Sequence, residues 1–185
     1  MLDRAIIDHA SPTLARLKLG NLFNYTIRGD FDAEFAGLRA MLSGKGVALS
    51  VLRKTREKAL VYVYREDELT RALRNEGVRR LLKSCGYARF DVGGALETLK
   101  SRLNDADAFP HEIGVFLGYP LEDVLGFIEN GGRNCLACGC WKVYANECEA
   151  LAAFKRYEKC KSVYQRLFAS GCPLSRLTVA ARPAS

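Results

Sequence analysis

Two runs rich in β-branched and aromatic residues, GVALSVL (46–52) and ALVYVY (59–64), flank the charged turn RKTREK. This pairing limits the fold more than any other feature of the chain. Tyr62 and Tyr64 alternate with Val61 and Val63, a period of two that an extended strand turns to opposite faces. Two such runs around a short polar turn predict a β-hairpin over 46–64.

The other periodic stretches are mostly helical. One runs over about 67–84 with an interruption near Gly77; a second covers about 91–103, where Val92, Ala95, Leu96, Leu99 and Leu103 form one stripe behind Asp91 as N-cap. WKVY (141–144) reads as a short strand. Asn146, with Glu149 three residues on, opens a last helix whose face carries Leu151, Phe154, Tyr157, Tyr164 and Phe168. Gly171 and Pro173 stop that helix, RLTVA (176–180) reads as a final strand, and the tail ARPAS as loose. The expected fold class is α+β: a small, mostly antiparallel sheet, made of the hairpin and short strands near 141–144 and 176–180, packed with several helices. At 185 residues and 49% hydrophobic content, one core and a single domain over 1–185 are expected.

No apolar run is long enough to span a bilayer, and the N-terminus has neither the basic n-region nor the apolar h-region of a secretory signal, so a cytoplasmic protein is expected. Seven cysteines without an export signal read as reduced thiols or metal ligands. The net charge of +7 is unevenly placed: residues 103–132 hold 6 acidic and no basic side chains, between basic stretches on either side. Such an island is expected to pack beside the basic segments and offset part of their field.

Within it lies FPHEIGVFLGYPLEDVLGFIENGG (109–132). Pro110 and Pro120 stand where helices start, and Gly118 and Gly131 where they end, predicting an αα-hairpin of helices at about 110–117 and 120–130. Ile113, Phe116, Leu117, Val124, Leu125 and Ile128 are its expected buried face. The spacing also suits a helix-turn-helix. However, Glu122, Asp123 and Glu129 without a Lys or Arg would push carboxylates against phosphates, so sequence-specific DNA binding is not expected.

His111 and Glu112 open the first of these helices, where the helix dipole disfavours an imidazolium and leaves a ring able to ligate a metal or relay a proton. A capping or core histidine is the alternative. Cys135, Cys138 and Cys140 form a C-x-x-C-x-C arrangement. With a fourth ligand they would hold zinc or an iron–sulfur centre; without one they are free thiols in a loop. Arg71, Arg74, Arg79, Arg80 and Lys83 make a basic helical face, either a solvated surface or a grip for non-specific nucleic acid. No phosphate-cradling glycine loop, nucleophile elbow or H-E-x-x-H helix is present.

The 109–132 stretch followed by WKVY resembles the bacterial family known as domain of unknown function 3793, common in anaerobic Gram-positive lineages. HASPTLARLKLGNLF, VYVYRE and GCPLSRLTV are similar to its opening, hairpin and terminal segments, so the resemblance covers nearly the whole chain. In the family it resembles, a cysteine often follows the first histidine and a glycine sits near position 16, where this chain has Ala10 and Arg16. The resemblance implies no activity, but it marks positions. His9, Lys18, His111 and Glu112 become candidate catalytic residues, and Thr13, Asn21, Tyr119, Trp141 and Lys142 candidate ligand-binding residues. The expected function is binding of a metal or small ligand in a pocket where His9 and His111 converge, with redox-linked chemistry at the thiol-rich loop. The rival class is an interaction module that presents its basic face to nucleic acid or an acidic protein.

Overall fold

A computed structural model describes residues 1–105 and 109–181; residues 182–185 of the tail lie outside the described part. The chain is α+β and divides into two compact units, residues 1–68 with 159–185, and residues 69–158.

The first unit is built on the predicted hairpin. β2 (Val47–Lys54) and β3 (Lys58–Arg65) pair antiparallel, and β1 (Gly20–Thr26) pairs with the free edge of β3, giving the order β1-β3-β2. β1 is absent from the sequence reading because GNLFNYT carries two asparagines and no clean alternation. Being central, β3 is buried over Ala59–Arg65. Its period of two sends Ala59, Val61 and Val63 into a core shared with Leu2, Ile6, Ile7 and Leu14 of α1 (Leu2–Leu14) and Phe31 and Leu42 of α2 (Phe31–Ser43). Tyr62 and Tyr64 stack at 4.6 Å.

Arg65 closes this unit. It is 0% exposed, and its guanidinium donates to the carbonyls of Thr13 (2.9 Å), Leu14 (2.6 Å) and Lys45 (3.0 Å). These carbonyls lie at the C-terminal end of α1 and in the turn after α2, where backbone acceptors have no partner in the helix. Burial lowers the pKa of Arg65, yet a guanidinium stays charged, so the side chain is a permanent donor. Beyond α1 the chain turns through Arg16 at φ 57°, a left-handed conformation that costs a side chain and that glycine adopts freely. Arg16 pairs there with Asp67 and, at 3.5 Å, with Glu68.

The strand expected at 176–180 does not form. Pro173 opens a turn whose carbonyl accepts from Arg176 and Leu177, so Leu174 and Leu177 reach the core at a spacing of three, not two. Val179 and Ala181 then bond singly to the carbonyls of Leu14 and Lys45.

The second unit contains most of α3 (Glu66–Arg74), then α4 (Glu76–Ser84), α5 (Val92–Asp105), α6 (Ile113–Phe116), α7 (Leu121–Asn130), the two-stranded pair β4 (Ala137–Cys138) and β5 (Lys142–Val143), and the first half of α8 (Glu147–Ala169). The break between α3 and α4 falls at Asn75, whose side chain caps Val78 N, and not at Gly77. Asp91 accepts from Gly94 N as the predicted cap. Gly131 ends α7 in the left-handed conformation.

The αα-hairpin is shorter than expected, because the first helix is a single turn and Pro120 is the cap of α7, not its first residue. Ile113, Phe116 and Val124 are buried, but Leu125 and Ile128 are 36% and 38% exposed and Leu117 is half-buried. The face α7 turns inward carries Asp123 and Val124 instead. Leu151 likewise points outward on α8. The strand expected at 141–144 is β5, which pairs with β4 in a separate sheet, so the cysteine segment is a hairpin.

Replacing Arg65 by Met removes three donors from buried or half-buried carbonyls while keeping the apolar stem. Each carbonyl keeps one backbone N–H, from Arg16, Val179 and Ala181, so at roughly 1–1.5 kcal/mol for each hydrogen bond lost a destabilisation of about 3–5 kcal/mol is expected. Urea unfolding followed by far-UV circular dichroism measures it. Leu125→Ala should cost under about 1 kcal/mol in the same assay, as a partly exposed leucine leaves little cavity.

Candidate functional site

In the second unit a cavity of about 310 Å³ opens between α6, α7 and the β4–β5 hairpin. Its walls are mainly apolar, with Phe109, Ile113, Leu117, Val124, Phe127 and Trp141, and its polar lining comes from His111, Tyr119, Asp123, Cys138 and Lys142.

Asp123 builds the site. This carboxylate is only 2% exposed, and it accepts from Trp141 Nε1 (2.7 Å), Tyr144 N (2.7 Å) and Ala145 N (2.9 Å). A carboxylate near a helix N-terminus also meets the positive end of the helix dipole. Its placement therefore costs little, and the strand after the cysteine turn is pinned to α7.

Trp141, the single tryptophan, is held from three sides: stacked on Tyr119 at 5.0 Å, edge-on to Phe154 at 4.5 Å, and bonded to Asp123. Burial raises the Tyr119 hydroxyl to about 12, so it remains a donor, here to the Cys140 carbonyl at 3.0 Å. Gly139 allows the turn to approach Phe154, because a Cβ there would lie 2.4 Å from the ring.

His111 and Lys142 both neighbour Phe127. The exposed His111 ring meets it edge-on at 4.9 Å, and Lys142 Nζ stands 5.9 Å from its centroid while donating to the Gly132 carbonyl at 2.5 Å.

Glu112, beside His111 in sequence, is not part of the lining. It is 2% exposed, and one oxygen accepts from Arg102 Nε (2.5 Å) and the Tyr87 hydroxyl (3.2 Å). Burial and this carboxylate push the Tyr87 hydroxyl far up, so it too stays protonated. The pair ties α5 to the start of α6, a direct case of the acidic island offsetting a basic segment.

The N-terminal motif residues belong to the first unit. His9 is largely exposed and stacks on Phe23 at 5.0 Å; partial desolvation of the ring, and then Lys161, lower its pKa, leaving it neutral at neutral pH. Thr13 donates to the Asn21 side chain at 2.8 Å, joining the end of α1 to β1, and Lys18 is buried between them in sequence. Of the sequence-derived candidates, then, His111, Tyr119, Trp141, Lys142 and Cys138 line one cavity in the second unit. Asp123 lies within a motif segment of the resemblance but is not among the sequence-derived site candidates, because an acid in a first helical turn ordinarily reads as a dipole partner on the surface. Its pairing with a downstream Trp is a tertiary fact.

Cys135 is half-buried, and Cys138 and Cys140 are exposed. Among the described residues no group of three or more His, Cys, Asp and Glu side chains is placed to hold a metal ion. No described helix is long and apolar enough to cross a membrane. On the basic face, Arg79 donates to the Leu73 carbonyl and lies over Phe90 at 5.6 Å. Arg71, Arg74, Arg80 and Lys83 are exposed, and no ion pair holds them among the described residues.

Two outcomes test this geometry. Asp123→Asn turns one acceptor into a donor facing other donors, so a destabilisation of about 2–3 kcal/mol is expected. Urea unfolding measures it, and the emission of Trp141 should shift to the red. Alkylation of native protein should label Cys138, Cys140 and Cys148 first, since they are exposed, and Cys160 last, since burial raises its thiol to about 11. Mass spectrometry of timed samples reads that order; protection of Cys138 and Cys140 together with stoichiometric zinc would instead reveal a metal centre.

No curated protein and no solved structure matches the chain. A family described as Protein of unknown function (DUF3793) matches residues 6–178, through both units and across every segment that lines the cavity. The chain belongs to that family.

Proposed function

We propose that this protein binds a small, largely apolar organic molecule in the cavity of its second unit. The observation that carries the reading is a concavity of about 310 Å³ whose aromatic walls are held in place by bonds among themselves, while His111 and Lys142 stay accessible within it. This combination of apolar lining and a few polar groups is what small-molecule sites offer. Because Trp141 is fixed by Asp123 and Tyr119, a ligand would not have to order the wall it packs on, which lowers the entropic cost of binding. Trp141, Tyr119 and Phe127 supply the surface and His111 and Lys142 the orientation. Cys138 brings a thiol to the same cavity, where ligand-linked redox chemistry would act.

The exposed cations Arg71, Arg74, Arg80 and Lys83 favour a second reading, non-specific contact with a polyanion. Its mark would be affinity for single-stranded RNA that falls steeply with salt and is lost when these four are changed to Ser.

For the cavity, titration with neutral aromatic probes such as benzyl alcohol should quench or shift Trp141 emission and raise the melting temperature. Phe127→Ala should weaken the response about tenfold, the scale of one lost aromatic wall contact. Unchanged emission and melting temperature across a panel of such probes would end the reading.

A further inference from the structure

The charges around the cavity narrow the ligand class. Two side chains of its lining, Asp123 and Lys142, carry formal charge. Those of Asp123 are already answered: both oxygens accept, from one indole N–H and two backbone N–H groups. A ligand cation would have to displace one of these bonds to pair with it. Lys142 is in the opposite position. Its ammonium gives one N–H to the Gly132 carbonyl, and no carboxylate pairs with it among the described residues. Two donors remain, on a half-buried cation.

Gly132 makes that position available. It adopts φ 75°, a conformation that favours glycine, and a Cβ there would crowd the Phe127 ring at 3.1 Å and Lys142 Nζ at 3.4 Å, so glycine leaves room for the ammonium against this carbonyl beside the ring. His111 flanks the same ring and can donate from a ring nitrogen in either protonation state. The other acids of α7, Glu122 and Glu129, are exposed and do not line the cavity. The lining thus carries two donor groups beside one aromatic ring, and the cationic one is paired with no carboxylate among the described residues.

We infer that the ligand is a small monoanion with an apolar, ring-sized body, a carboxylate of the aryl- or branched-alkyl-acid type, its anionic group at Lys142 and His111 and its body between Phe127 and Trp141. The inference rests on the cavity being a ligand site. A carboxylate gains a charge-assisted hydrogen bond from Lys142 that an amide of the same shape gains only weakly, and an amine meets repulsion.

The test compares three probes of one shape, phenylacetate, phenylacetamide and phenethylamine, by the shift of the single indole N–H resonance of Trp141 in the full-length protein. Phenylacetate should bind about tenfold tighter than phenylacetamide, one charge-assisted bond's worth, and phenethylamine weakest. Lys142→Met should erase the preference for the acid and keep binding of the amide, and Lys142→Arg should keep the preference. Equal or tighter binding of the amide, or an acid preference that survives Lys142→Met in a folded variant, overturns the anion assignment and leaves the cavity reading standing. If none of the three moves the Trp141 resonance, both fall.

Discussion

A carboxylate taken out of water must have its lone pairs met, and the second unit is arranged around meeting those of Asp123. The three N–H groups that do so come from residues 18 to 22 positions later in the chain. Satisfying them brings the β4–β5 hairpin to α7, orients Trp141 and leaves a cavity beside it. Removing the carboxylate would orphan an indole and two amides at once. The shape of the cavity is in this sense a by-product of solvating one buried charge with the backbone.

The first unit uses the same device with the opposite sign. Among the described residues no carboxylate pairs with the buried Arg65 guanidinium, which is solvated by three carbonyls, two at the end of α1 and one in the turn after α2. Pairing a buried ion with a counter-ion often gains little after desolvation, whereas pairing it with backbone groups that must be bonded anyway resolves two costs together. Each unit therefore joins segments distant in sequence through one buried charged side chain whose partners are mostly main-chain groups. The groups accessible for chemistry in the cavity are the peripheral ones, His111, Lys142 and Cys138.

Charge is divided unequally between the units. The first carries 16 basic and 9 acidic residues, so it holds the whole net charge of +7, while the second has 12 of each. The cavity thus lies in the unit whose own charges cancel, and under the proposed reading the local position of Lys142 would select the charge of the ligand. The contrast was hidden in segment counts along the sequence, because the acidic island and the basic helices that neutralise it belong to the same unit.

Local signals were readable wherever one residue type carries the geometry. The β-branched and aromatic alternation of 59–64, the cap at Asp91, the left-handed Gly131 and the stop at Pro173 all depend on neighbours within a few positions, and the sequence by itself determined them. It also determined the family segments in which the cavity residues lie. What depends on distant partners was decided by the tertiary structure alone: β1, recruited by the open edge of β3 despite its polar residues; the outward turn of Leu125 and Ile128; and the boundaries of the units, which fall inside α3 and α8 where no linker marks them. The sharpest case is the pair of acids beside the two glycine-ended turns. Glu112 and Asp123 look alike in sequence, each in the first turn of a helix expected there, yet Arg102 and Tyr87 claim one as a structural tie, while Trp141 and two amides make the other the wall of a cavity. A carboxylate's role is set by which donors desolvate it, and those donors are brought by the fold.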